Sequence, residues 1–94
     1  MKFGTKCIHA GVKPDPATGA VMTPIYQTST YVQKSPGKHQ GYEYTRTHNP
    51  TRTRLEECLA SLEDAKYGLV AASGLGITTL IMHALPNGST ILCG

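Results

Sequence analysis

Hydrophobic residues follow three different patterns along this chain. Through residues 1–40 they fall at no fixed interval, among Pro14, Pro16, Pro24 and Pro36 and among Gly11, Gly19 and Gly37. Those residues interrupt any helical period. Farther on, Leu55, Cys58, Leu59 and Leu62 make one stripe at helical spacing. From Gly68 to Leu85 the chain is almost continuously apolar or small, with a break at Ser73-Gly74.

Each pattern predicts an element. The stripe predicts a helix with Asn49 as N-cap and Pro50 in the first helical position, where its missing N–H costs nothing. Tyr67-Gly68 closes that helix, with Gly68 as a left-handed cap. The apolar run predicts a strand over 69–72, a Ser-Gly turn and a helix over 75–85. Pro86-Asn-Gly88 then makes a turn into a second strand over 90–93. The expected class is α/β. One helix cannot cover both faces of a two-stranded parallel sheet, and parallel sheets are normally buried on both sides. The chain is therefore expected to be the N-terminal piece of a larger fold, with a self-sufficient miniature domain as the alternative.

The first forty residues read as an arm. Val21 to Val32 is rich in β-branched and aromatic residues, but Pro24 restricts it to extended or edge structure. Ile25, Tyr26, Tyr31 and Val32 argue against a disordered tail. An arm of this kind is expected to lie across the remainder of the fold or across a neighbouring subunit.

Charge and cysteine usage narrow the classes. A net charge of +3, with Lys38, His39, Arg46 and His48 in one loop beside Glu43, is far from the signature of a nucleic-acid-binding tail. Cys7, Cys58 and Cys93 are odd in number and widely spaced, so neither a disulfide framework nor a CxxC metal site is indicated. A reducing, cytoplasmic setting is expected. Met1-Lys-Phe-Gly-Thr-Lys lacks the apolar core of a secretory leader, and no run reaches membrane-spanning length. Cys58 lies in the apolar stripe and reads as core. His9, His39 and His83 have no partners at metal spacing, so no metal is expected.

Two places carry candidate chemistry. A helix that starts at a Ser-Gly turn presents unpaired N–H groups and the positive end of its dipole, which suits an anion such as phosphate. Small residues there also serve close helix–sheet packing. Gly74 and Gly76 are followed by Thr79 where a dinucleotide fingerprint needs a third glycine, and no Gly-Lys-Ser/Thr follows. The second place is the polar loop 35–49. In extended backbone Tyr44 and Arg46 project to the same side, where a guanidinium fork and a phenol can meet one small anion. A solvated basic loop explains the same residues equally well.

Five blocks occur here in one order: Thr5-Lys-Cys-Ile-His-Ala-Gly11, Thr23-Pro-Ile-Tyr-Gln-Thr-Ser-Thr-Tyr31, Tyr44-Thr-Arg-Thr-His-Asn-Pro-Thr51, Leu55-Glu and Ala72-Ser-Gly-Leu75. Together they resemble the N-terminal quarter of the cystathionine-metabolising, pyridoxal-phosphate-dependent enzymes of cysteine and methionine metabolism. The resemblance implies a fold of type I, that of the large domain of aspartate-aminotransferase-like transferases. Residues 1–48 would be the arm and subunit-contact loop, and residues 49–94 the start of the cofactor-binding α/β domain. It implies pyridoxal 5'-phosphate as cofactor. Tyr44 and Arg46 would reach the phosphate in a neighbouring subunit, while Gly74 and Leu75 would bind that of their own subunit through backbone N–H groups. It further implies a homotetramer of active-site-sharing dimers, acting on small amino-acid substrates such as cystathionine or activated homoserine.

The family's cofactor-bearing lysine, pyridine-facing aspartate and ring-stacking tyrosine belong to later segments, so no catalytic residue is expected in this chain. Gly76 stands where relatives often carry alanine, a change expected to be easily tolerated. The implied reaction is elimination or replacement at the γ-carbon of a sulfur amino acid, of the cystathionine γ-lyase or γ-synthase type. Methionine γ-lyase, cystathionine β-lyase and O-acylhomoserine sulfhydrylase remain as alternatives. From another class stands a small non-catalytic phosphate- or nucleotide-binding module.

Overall fold

A computed structural model describes all residues from Met1 to Gly94. Three helices occur in order: α1 (Phe3–His9), α2 (Pro50–Leu62) and α3 (Gly74–Ala84). The 40 residues between α1 and α2 run as extended segments and turns, and their β pairing is one antiparallel bridge between Thr30 and Tyr44.

Helix α2 begins as its sequence demands. Asn49 is extended (φ −148°, ψ 137°) and its side chain accepts from the Thr51 N–H, while Pro50 takes the first helical position. Its end differs from the expectation. The helix stops at Leu62, with Glu63 as C-cap. Asp64 takes the left-handed conformation (φ 50°), and the Ala65 N–H donates to Ala60 O at 2.8 Å. That six-to-one bond is a Schellman-type closure, with aspartate where glycine is usual.

Gly68 has no positive φ and is not the helix cap. It serves close approach instead: a Cβ there would collide with the main-chain carbonyl of Glu56. Two residues later, the Val70 N–H donates to Glu56 Oε1 at 3.1 Å. The segment leaving α2 therefore folds back along that helix at Glu56.

Helix α1 was not foreseen in the arm. It has seven residues, and Lys2 at its N-cap gives no side-chain cap bond. Its support comes from α2. Arg54 Nη1 donates to the Gly11 carbonyl and pairs with Glu57 Oε2 at 2.6 Å. The Cys58 thiol lies 3.9 and 3.7 Å from the Lys6 and Cys7 carbonyl oxygens. Lys6 Nζ stands 3.6 Å from Asp64 Oδ1. Gly11, at φ +72°, lies so close to α2 that a Cβ would be 2.8 Å from Glu57 Cβ. Cys58 thus faces α1 from the middle of α2, although it is only half-buried.

The expected strands over 69–72 and 90–93 do not form: those segments are unpaired, and there is no sheet. A strand persists through the ladder of a neighbour, and neither segment has one. Leu69 and Leu92 are exposed. The helix expected over 75–85 is present one residue earlier at each end. Only Ala10, Asn49 and Ala60 are buried, and the Leu55 and Leu59 of the α2 stripe remain about half exposed. The radius of gyration is 16.8 Å, against roughly 12 Å for a compact domain of this length. The chain is an open layer, 50 × 43 × 20 Å, with apolar faces of α2 and α3 on its surface. No helix is long and apolar enough to cross a membrane.

Candidate phosphate-binding site

At the start of α3, Ser73 is extended (φ −154°, ψ 158°) and its Oγ accepts from the Gly76 N–H at 3.0 Å. The Ile77 N–H donates to Ser73 O. The Ser73 cap therefore occupies the third N–H of the helix and leaves those of Gly74 and Leu75, the first two, without an acceptor in the chain. A Cβ at Gly74 would meet nothing within 4 Å, so open space adjoins these donors. Gly76 is tighter: a Cβ there would lie 3.2 Å from Ser73 Oγ. The expected easy exchange for alanine thus presses on the cap.

Tyr44 and Arg46 are brought together. The guanidinium carbon of Arg46 lies 5.4 Å from the centroid of the Tyr44 ring. Extended alternation does not produce this proximity. The chain turns at Tyr44, whose carbonyl accepts from the N–H groups of Thr47 and His48 at 3.1 and 2.9 Å and from the Thr47 hydroxyl at 2.8 Å. The turn is held against the arm: the Thr45 N–H donates to Ser29 O at 2.9 Å, and the Thr45 hydroxyl donates to Thr28 O. Next to it, Tyr31, Tyr42 and His48 form a stack with centroid separations of 5.6 and 5.2 Å.

The two pairs do not share a recess. Arg46 lines one with Arg52, Glu56, Ala71 and Ala72, from which Gly74 and Leu75 are absent. Each pair nevertheless offers donors, and the carboxylate in the Arg46 recess, that of Glu56, stands 3.9 Å from Arg52 Nε. Main-chain N–H groups at a helix start, a guanidinium and a phenol fit a phosphate ester well. Sequence reasoning missed two contributors. Ser73 was legible as a Ser two residues before a helical run, and the reach of Asn49 beyond capping had no local signature.

A family model described as Cys/Met metabolism PLP-dependent enzyme matches residues 4–94. A probable cystathionine gamma-synthase of Herpetosiphon aurantiacus is 59% identical over 92 residues, which is 98% of this chain and 29% of that protein. A cystathionine beta-lyase of Coxiella burnetii is 57% identical over 88 residues, 94% of this chain and 23% of that protein. The crystal structure of cystathionine gamma-lyase from yeast superposes with a TM-score of 0.81 at 47% identity, covering 95% of this chain and 23% of that one. The chain thus spans roughly a quarter of the length of the relatives it matches. Over nearly all of its own length, it belongs to the pyridoxal-phosphate-dependent enzymes of cysteine and methionine metabolism.

Proposed function

We propose that this chain supplies the phosphate-binding parts of a pyridoxal-phosphate enzyme that performs elimination or replacement at the γ-carbon of sulfur amino acids. The observation that carries the reading is the pair of free N–H groups at Gly74 and Leu75 behind an open approach. It is joined by the Tyr44–Arg46 pair held on a tethered turn. Gly74 and Leu75 hold the phosphate of their own subunit, and Tyr44 and Arg46 hold that of a partner. Gly74 and Leu75 do not line the recess that Arg46 lines, which supports this division. Residues 1–48 act as the arm and subunit-contact loop, and residues 49–94 open a cofactor domain of fold type I. The assembly is a homotetramer of dimers, located in the cytoplasm.

Bound pyridoxal phosphate supplies an electron sink for carbanions of amino-acid substrates. The residues of this chain fix its phosphate, so that the reacting bond is held in one orientation. None of them moves a proton, and the 94 residues alone are catalytically inert. Cystathionine γ-lyase or γ-synthase chemistry is favoured by the Tyr44–Thr51 block. Methionine γ-lyase, O-acylhomoserine sulfhydrylase and cystathionine β-lyase, which breaks the bond at the β-carbon instead, are the alternatives within the family.

The test is made on the intact protein. It should purify with a visible absorption that borohydride abolishes together with activity, and a colourless, cofactor-free preparation would sink the reading. Products formed from cystathionine, cysteine and an activated homoserine identify the reaction. Arg46→Ala should weaken cofactor binding by about 1.5–3 kcal/mol, the worth of a charge-assisted contact. Equilibrium titration of the apoprotein measures it, and unchanged affinity rejects the phosphate role.

A further inference from the structure

We infer that Asn49 is a positioning residue for the Tyr44–Arg46 phosphate grip and acts on it through Thr45. The inference rests on the phosphate role proposed above. Asn49 is 6% exposed and is the one polar residue buried in the chain. Its Oδ1 accepts from the Thr51 N–H at 2.8 Å, which caps α2. Its Nδ2 donates to Tyr26 O and to Thr45 Oγ1, both at 3.1 Å. The flanking donor and acceptor fix which end of the amide is which.

Capping needs only the oxygen, and aspartate caps as well as asparagine. The two N–H donors are surplus to that task, and both are spent on the segments that hold Tyr44 and Arg46. One goes to Tyr26, whose own N–H donates to Thr51 Oγ1 at 3.0 Å. The arm is thereby fastened to the first turn of α2 through both main-chain groups of one residue. The other goes to Thr45, which stands between Tyr44 and Arg46 in sequence.

The Thr45 hydroxyl has one hydrogen to give and gives it to Thr28 O. It can therefore meet Asn49 only as an acceptor, and an aspartate at 49 would have nothing to donate. Asn49 and the arm thus clamp Thr45 from two sides, so that the direction of its neighbours' side chains is set from a buried point. An ordinary cap has no such reach.

Asn49→Asp separates the two roles, because it keeps the cap and removes both donors. In the intact protein we expect it to weaken pyridoxal phosphate binding about tenfold, the scale of one or two lost hydrogen bonds. Binding of pyridoxal, which has no phosphate, should be unchanged. If Asn49 acts through the grip, adding Asn49→Asp to Arg46→Ala should weaken binding by no more than about twofold further, since contacts in one network are not additive. Thr45→Val, which leaves the cap untouched, should repeat both results where Asn49→Asp does not fold.

A tenfold loss that multiplies onto the Arg46→Ala loss overturns the positioning role. So does an equal loss for pyridoxal, or an unchanged affinity for pyridoxal phosphate in Asn49→Asp. Unchanged affinity in Arg46→Ala alone overturns the phosphate role and the positioning role together.

Discussion

The two proposed sets of phosphate ligands are held in opposite ways. Tyr44 and Arg46 sit on a turn fastened by bonds between residues far apart in sequence: Thr45 to Ser29 and Thr28, Asn49 to Tyr26, and Tyr26 to Thr51. Gly74 and Leu75 sit on a helix start made by neighbours alone, with Ser73 capping Gly76 and the Thr78 and Thr79 hydroxyls donating to Gly74 O and Leu75 O. A helix N-terminus carries its donors and its dipole wherever it goes, so it needs no distant support to bind an anion. A guanidinium on a long side chain must be aimed, and aiming requires a scaffold. The difference teaches that one set depends on tertiary contacts of the arm and the other on three or four residues of local sequence.

Gly68→Ala attacks the one place where the local half is tied to the rest. Its new methyl group would meet the Glu56 main-chain carbonyl, and relieving that contact requires a backbone shift. A destabilisation of about 1–3 kcal/mol is expected, in the range of overpacking, and the denaturant midpoint of the intact protein measures it. An unchanged midpoint would mean that the 68–70 segment is not held against α2.

Ser73→Ala removes the cap without touching the arm. About 1 kcal/mol of stability should be lost, and affinity for pyridoxal phosphate should fall with it, because the frayed first turn no longer presents Gly74 and Leu75 together. Affinity that holds while stability falls would assign the phosphate to other donors. Gly76→Ala should do least. Alanine gains up to about 1 kcal/mol of helix propensity over glycine, and the 3.2 Å approach to Ser73 Oγ returns part of it. A melting temperature within a few degrees of wild type is expected, and a collapse would show that the cap cannot yield.

What was legible in the sequence follows the same division. The cap at Asn49 and the start of each long helix are local, and spacing alone announces them; the Ser73 cap is as local but went unread. The four proposed site residues rest on motif and residue chemistry, while the turn that joins Tyr44 to Arg46 was not legible, because it depends on Thr45 meeting the arm. Asp64 in the left-handed slot defeated the reading of Gly68, since a glycine serves backbone approach as readily as a cap. Helix α1, without a capping side chain and ended before Gly11, is supported by α2 and left no pattern of its own. The strands failed for the related reason that pairing is a property of two segments.

The excursion between Tyr31 and Tyr42 can be considered as a place for insertions. Its base is closed by the Tyr31–Tyr42 stack and the Thr30–Tyr44 bridge. Its tip closes on itself, with Lys34 N–H donating to Lys38 O and Gly37 N–H to Gln33 Oε1. Lengthening such a tip costs only slowly growing loop entropy, and the base shields Tyr44 and Arg46 from the change. Between Thr45 and Asn49 the spacing is fixed by their bond, and one added residue there would unhook the clamp. Length should drift freely at 33–41 over evolutionary time and stay frozen at 45–49.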